Sequence, residues 1–306
     1  MNAGFESPAH QVELAAALAR REVPLKFAYG GDGAATYRVL TRSGKDDDVV
    51  ASAHLEIRGL LTAVEAGGVP AQLCDIGPGD GRHTGALIQE LTRSGAPIQR
   101  YLALDFSSAV MEIARTALAS QLPADQCWRR WDFELGPTPA LTEWRAAGPA
   151  LLVLGGTTLG NADDPLRVVS HIRESMEFGD LVLISIGLAA ATEGETPTRY
   201  IVSPAFAAAA LHPLAVAGLQ TDGGTFQLEF DRELSAVIGH FELSRPQHCT
   251  LGGETLSFAA GERIRCFVYR RFTRPQVDEI AARSGMTLLA EVVQHDSARS
   301  VLVFRR

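Results

Sequence analysis

The chain has 306 residues. At roughly 150 residues per domain that is enough for two domains, or for one large α/β domain with an insertion. It can also bury a core without disulfide or metal staples. Its 28 Lys and Arg against 36 Asp and Glu leave a formal charge of −8, which excludes the broad basic surface that non-specific nucleic-acid or anionic-membrane binding requires. The four cysteines form no C-x-x-C pair, so neither a zinc ribbon nor a thioredoxin-like motif is present.

Residues 9–22 read as a helix stopped by Pro24, and 33–42 as another. Residues 44–48 read as a polar, acidic loop. Residues 50–66 have helical period and end at Gly67-Gly68. A short buried strand, 71–76, then runs into the glycine-rich DIGPGDG (75–81), with Cys74 as a small core residue. The alternation continues through a helix at 83–94, a strand at 100–106 and a helix at 107–121. Strands follow at 127–133 and 149–156, then a helix at 164–177 and a strand at 180–187. Strand–helix repetition at this spacing predicts a parallel sheet covered by helices on both faces.

After Gly187 the pattern changes. Residues 197–217 look helical, and the Ala-rich stretch 201–219, interrupted by Pro204, His212 and Pro213, reads as a helix and not as a membrane span. Four antiparallel strands are expected within 225–272. A last helix (274–284) and a closing hairpin complete the chain. No signal peptide is apparent, because Glu6 and Glu13 interrupt the start and no apolar run follows. The expected setting is therefore the cytoplasm, the expected partner a small molecule, and nucleic acid and membrane are not expected. Monomer and dimer both stay open. The histidines at 83, 171, 212, 240, 248 and 295 show no metal-ligand spacing and read as surface or loop residues, so no metal is expected.

The strongest local signal is the glycine loop. Glycines permit a tight turn and close backbone approach to a ligand, and ligands of open α/β sheets bind at the carboxyl ends of the strands. A dinucleotide fingerprint needs G-x-G-x-x-G, but the sixth position from Gly77 is Arg82. No P-loop Lys-Ser/Thr pair follows either. The G-x-G-x-G pattern after an acidic strand end instead resembles motif I of class I S-adenosylmethionine methyltransferases. That likeness implies an acid at the end of the second strand for the ribose hydroxyls, and Asp105 stands there. It implies a further acid after the third strand for the adenine, and Asp132 with Phe133 fits. The fourth strand opens into GGTTLGN (155–161), whose small residues leave room beside a ligand. Its Asn161 either caps the following helix or holds a substrate carboxylate or amine.

Several segments in order extend the likeness: KFAYGGDGAATYRVLTRS (26–43), DIGPGDGRHT, YLALDFSSAVMEIA, LGGTTLGN and RFTRPQVDEIAARSGMTL (271–288). In these the chain resembles the histidine Nα-methyltransferases of ergothioneine biosynthesis and their wider family. The resemblance implies a Rossmann-like class I methyltransferase core (61–190 and 273–306) and a smaller α+β substrate-binding domain. The second domain would combine N-terminal helices (1–60) with a late insertion (191–272). It implies S-adenosyl-L-methionine as methyl donor, released as S-adenosyl-L-homocysteine. Gly77, Gly79, Gly81, Arg82, Asp105, Phe106, Asp132, Phe133 and Gly155 would bind the donor. Tyr29, Tyr37, Thr157, Asn161 and Tyr200 would line the acceptor pocket, with Tyr29 and Asn161 orienting the reacting nitrogen.

The chain departs from that family at two places. Where the histidine enzymes carry a Glu-x-Ser pair that recognises the imidazole, this chain has Phe267 and Tyr269. The paired tyrosines after the first segment are replaced by Lys45-Asp46-Asp47-Asp48. Loss of a charge-assisted hydrogen bond costs about 1.5–3 kcal/mol, or about ten- to a hundredfold in affinity. The expected activity is therefore N-methylation of a small amino acid or amine other than histidine, in secondary metabolism. Methylation of an oxygen or carbon acceptor, and a non-catalytic donor-binding homologue, are the alternatives.

Overall fold

A computed structural model describes residues 7–36, 46–189, 203–294 and 299–306. The chain divides into two compact units. One comprises Gly44–Phe106, Val110–Ala190 and Arg271–Arg306; the other comprises Met1–Ser43, Ser107–Ala109 and Ala191–Arg270.

The first unit is built on a seven-stranded sheet. Its strands are β1 (Gln72–Ile76), β2 (Arg100–Asp105), β3 (Asp125–Arg130), β4 (Leu151–Leu154), β5 (Leu181–Gly187), and two more numbered below with the strands of the other unit. Its helices are α2 (Asp46–Ala63), α3 (Arg82–Arg93), α4 (Ser108–Leu118, which begins in residues grouped with the other unit), α5 (Ala140–Trp144), α6 (Pro165–Ser175) and α8 (Arg274–Arg283). The other unit holds α1 (Pro8–Ala19), α7 (Pro204–Val216) and five strands: β6 (Gly224–Asp231), β7 (Ala236–Leu243), β8 (Gln247–Leu251), β9 (Glu254–Phe258) and β10 (Arg263–Arg270). The two closing strands of the large sheet are β11 (Thr287–Gln294) and β12 (Arg299–Arg305).

The large sheet runs β11-β12-β5-β4-β1-β2-β3. Strands β1 to β5 are parallel, and β12 is antiparallel to both β5 and β11. Alternate residues of each central strand face opposite layers, as the twofold period of a strand demands. Leu73, Tyr101, Ala103, Val153, Leu183 and Val303 pack beneath α2, α3 and α4. Cys74, Leu102, Leu104, Leu152, Ile184 and Phe304 pack against α5, α6 and α8. Both faces are covered, which is why β4 reads as an unbroken apolar run. The chain steps outward from β1 to β2 and β3, then returns to the opposite side of β1 as β4. The crevice between the carboxyl ends of β1 and β4 is thus the switch point where such sheets take ligands.

In the second unit, β10, β7 and β6 form an antiparallel sheet and β8 pairs with β9. A helical turn at Leu25–Tyr29 follows a short bridge, in which Val23 N–H donates to the Arg265 carbonyl and Arg265 N–H to Arg21 O, each at 2.8 Å. Lys26, buried, pairs with Glu13 at 2.5 Å.

Several sequence expectations change here. Helix α2 buries Ala53, Ile57 and Leu60 in the layer over the large sheet, within the unit that begins at Gly44. Asp46, Asp47 and Asp48 open α2 instead of forming a loop; acids are favoured in a first helical turn by the helix dipole. Strand β8 has no counterpart in the sequence reading, since only Cys249 and Leu251 mark its apolar face and Gln247 breaks the alternation. The helix expected at 33–42 is seen at 33–36, and its remainder lies outside the described residues. Among the described residues no helix is long and apolar enough to cross a membrane.

Candidate functional site

The glycine loop follows β1 directly. Gly77, Gly79 and Gly81 have φ of +73°, +59° and +83°, a region that side chains rarely enter. Gly77 N–H donates to the Leu104 carbonyl at 2.8 Å, tying the loop to β2. Gly81 caps α3, and a Cβ there would meet Leu118 Cγ at 3.1 Å and the Ala114 carbonyl at 3.2 Å. The loop is therefore bare backbone by necessity on both counts.

Asp75, the acid of the motif, turns away from the loop. Its carboxylate accepts the Thr84 hydroxyl at 2.5 Å and the Tyr101 hydroxyl at 3.0 Å. Burial pushes its carboxyl above the ordinary range, while the Thr84 bond, the His83 charge and the Tyr101 bond oppose the shift. It braces α3 against β2. Tyr101→Phe is expected to cost about 1–3 kcal/mol, because it leaves a buried carboxylate short of a donor. Chemical denaturation checks this, and an unchanged midpoint would mean that Thr84 suffices.

The other expected donor residues of this unit gather at the same strand ends. Asp105, half-buried, ends β2, and its carbonyl accepts Trp131 N–H at 2.9 Å. Phe106 is buried beside it in sequence. Asp132 and Phe133 lie in the turn after β3, where Asp132 Oδ1 accepts Glu134 N–H at 3.1 Å and the Phe133 ring meets Trp131 edge-on at 6.0 Å. Arg82 lies at the loop, but its guanidinium pairs with Asp80 at 2.8 Å, so part of its charge is already spent on the loop itself.

Beyond β4 the chain turns sharply. Gly156 and Thr157 both have positive φ, +63° and +68°. In a β-branched residue this is a strained conformation costing on the order of 1–3 kcal/mol, and such residues cluster at ligand sites. A short turn at Thr158–Asn161 follows. Asn161 does not cap the next helix: Asp164 does, accepting Arg167 N–H at 3.0 Å. The Asn161 side chain, only partly buried, is left to another role.

The second unit holds the remaining described candidates. Phe267 and Tyr269 occupy one face of β10 and are 7% and 8% exposed. They pack with Leu25, Ala28, Ala210 and Val237, with Tyr29, Phe206 and Phe226 beside them. The Phe206 and Phe267 rings meet edge-on at 5.0 Å. Gly239 makes space for this cluster, since a Cβ would fall 2.7 Å from Phe226 and 2.8 Å from Phe267. The Tyr29 carbonyl accepts the Ser107 hydroxyl at 2.7 Å. Tyr37 and Tyr200 lie outside the described residues.

His248 is exposed, as a surface residue should be, but His83 departs from the sequence reading. His83 is no loop residue: its Nε2 stands 2.9 Å from Oε2 of Glu56, a fully buried acid on α2. His171 lies on α6 and donates from Nδ1 to the Phe133 carbonyl at 2.8 Å, His212 lies on α7 and donates to the Gly30 carbonyl at 3.1 Å, and His240 and His248 lie on strands; His295 lies outside the described residues. Glu56 was legible in principle. It stands at i+3 from Ala53 on the apolar face of its helix, and an acid in such a stripe is the informative exception.

A family profile described as a histidine-specific, SAM-dependent methyltransferase matches residues 47–306. Similar solved structures include an S-adenosylmethionine-dependent methyltransferase from Clostridium acetobutylicum (11% identity, 88% of this chain and 95% of that one, TM-score 0.44). They also include a sugar N-methyltransferase from Streptoalloteichus (14%, 88% and 92%, TM-score 0.45). A third is an amino pentose methyltransferase of calicheamicin biosynthesis from Micromonospora echinaspora (16%, 88% and 96%, TM-score 0.42). No curated protein matches the chain significantly.

Proposed function

The chain belongs to the histidine-specific, SAM-dependent methyltransferase family, and on that premise we propose that it methylates the nitrogen of a small amino acid or amine other than histidine. The observation that carries this reading is the aromatic cluster on β10. Phe267 and Tyr269 stand where the resemblance calls for the Glu and Ser that hold an imidazole. They are walled in by Phe206, Phe226 and Leu25. A neutral aromatic wall favours an aromatic, aliphatic or cationic group, the last through attraction to ring faces.

The residues at the switch point fit the methyl donor. Three glycines in left-handed conformations offer backbone alone, and at Gly155 a Cβ would meet the His83 ring at 2.4 Å. When bound, S-adenosylmethionine supplies a methyl group on a positively charged sulfur. Asp105 would accept the ribose hydroxyls, Asp132 the adenine amino group, and Phe133 would flank the ring. Gly77, Gly79, Gly81, Phe106 and Gly155 would admit the rest, with Arg82 at the helix start. The resemblance assigns the acceptor to Thr157, Asn161, Tyr29, Tyr37 and Tyr200. The chain's task is alignment: the acceptor nitrogen must present its lone pair along the bond being broken, and such positioning supplies much of the rate. The proton lost by the amine leaves to water.

Purified protein incubated with methyl-labelled S-adenosylmethionine and a panel of amino acids and amines, histidine and arginine included, tests this. A labelled N-methyl product from another amine, with histidine inert, is the expected result. Efficient methylation of histidine would overturn the reading of the β10 cluster, and a product fragmenting as an O- or C-methyl compound would overturn the choice of nitrogen.

A further inference from the structure

Four elements of the sheet unit meet in a polar cluster that the proposed donor and acceptor contacts do not use. Glu56 is 0% exposed on α2, in a layer otherwise made of Leu55, Ile57 and Leu60. The Ser185 hydroxyl of β5 donates to its Oε1. Its Oε2 faces His83 Nε2 at 2.9 Å, and the His83 side chain is 21% exposed. His83 is the second residue of α3, two positions after Gly81. The other side of its ring fills the space beside Gly155, where an added Cβ would lie 2.4 Å from Cε1 and 2.9 Å from Nδ1. The imidazole therefore touches the backbone at the end of β4, just before strained Thr157, while its own backbone closes the glycine loop.

A buried ion pair is expensive to desolvate, and apolar replacements of similar volume are often neutral or better for stability. Its presence here calls for a purpose other than holding the core. We propose that Glu56 and His83 are positioning residues for the methyl donor: the charged pair fixes the glycine loop and the Gly155 backbone in the mutual placement that the donor requires. This rests on the reading of those two loops as the donor site.

The other charged groups facing His83 are Asp75 from β1 and Arg299 from β12, the latter bonded to Ser52 of α2. Burial by itself pulls the imidazole down. The Glu56 carboxylate, and then Asp75, outweigh it, with Arg299 opposing, so the folded-state value lies above the ordinary one of about 6.5. A raised imidazole holds its interaction below about pH 6.5 and loses it as pH rises through the folded-state value. Donor binding should follow the same course.

Calorimetric titration of S-adenosylhomocysteine into the intact protein from pH 6.0 to 8.5 tests this, beside an NMR titration of the His83 ring. Wild-type affinity is expected to fall several-fold, about fivefold or more, across the range, with the His83 midpoint above 6.5. Glu56→Gln should weaken binding at pH 6.5 by about tenfold, flatten the profile and drop the midpoint below 6.5. The difference between the two profiles removes the ligand's own titration. Should that variant fail to fold, His83→Gln should show the same weakened, flat profile. Wild-type affinity independent of pH, a midpoint below 6.5, or variants that bind like wild type would each overturn the positioning role. No binding by wild type at any pH would overturn the donor-site reading, and the proposal with it.

Discussion

Asp105→Ala is expected to weaken S-adenosylhomocysteine binding by about 10²- to 10⁴-fold. The side chain stands at the carboxyl end of β2, beside the glycine loop that Gly77 ties to Leu104. In the donor reading its two oxygens accept both ribose hydroxyls. Hydrogen bonds to a charged group contribute about 1.5–3 kcal/mol each, and two of them convert to that range of affinity. The backbone link to the next segment, Asp105 carbonyl to Trp131 N–H, does not depend on the side chain and should survive the substitution. The measurement is therefore calorimetry together with thermal unfolding. Lost binding with an unchanged melting temperature is the expected pair, and tight binding by the variant would remove Asp105 from the donor site.

The double substitution Phe267→Glu with Tyr269→Ser should produce the largest change in stability. Both rings are buried among apolar neighbours. Removing a buried aromatic costs about 3–5 kcal/mol, and a carboxylate among Phe206, Phe226 and Leu25 adds an unpaired charge. The variant should unfold at markedly lower temperature, and histidine should restore part of the loss by pairing its imidazole with the new Glu. Affinity for histidine should rise by about ten- to a hundredfold over wild type, the value of the recovered charge-assisted bond. The readout is the melting temperature of each protein with and without histidine. A histidine-dependent rise in the variant alone supports the substrate reading; no rise in a folded variant would mean that this strand was matched in the wrong register. The register is open to that check. Strand β10 carries a bulge between Arg265 and Phe267, and a one-residue slip would exchange the faces of Phe267 and Val268. In the observed pairing Val268 packs with Ala236 and Ile238 on the opposite face.

Much of this fold is legible in the sequence because its signals are local. The short apolar runs of β1, β2 and β4, the period of 3.6 in the helices and the glycines of 77–81 each depend on residues a few positions apart. Those signals sufficed for the alternation of strand and helix and for the change of pattern after Gly187. They also place the donor candidates at strand ends, since parallel strands put all their carboxyl ends on one edge. Residues 46–48 were misread because consecutive acids signal a polar loop and a helix start equally well. Asn161 was a plausible cap, and only the backbone path after Thr157 showed that Asp164 caps the helix instead.

By itself the sequence determined an α/β chain with a glycine-rich loop at the end of its first sheet strand, and its resemblance implied a methyl donor there. The tertiary structure alone decided which distant side chains meet. Ser185 and Glu56 are 129 positions apart, and His83 reaches both Glu56 and Gly155 only because β4 returns to the flank of β1 opposite β2. Periodicity reports which face a residue occupies. Sheet order and helix packing decide what lies opposite that face, and no pattern of neighbouring residues encodes that order.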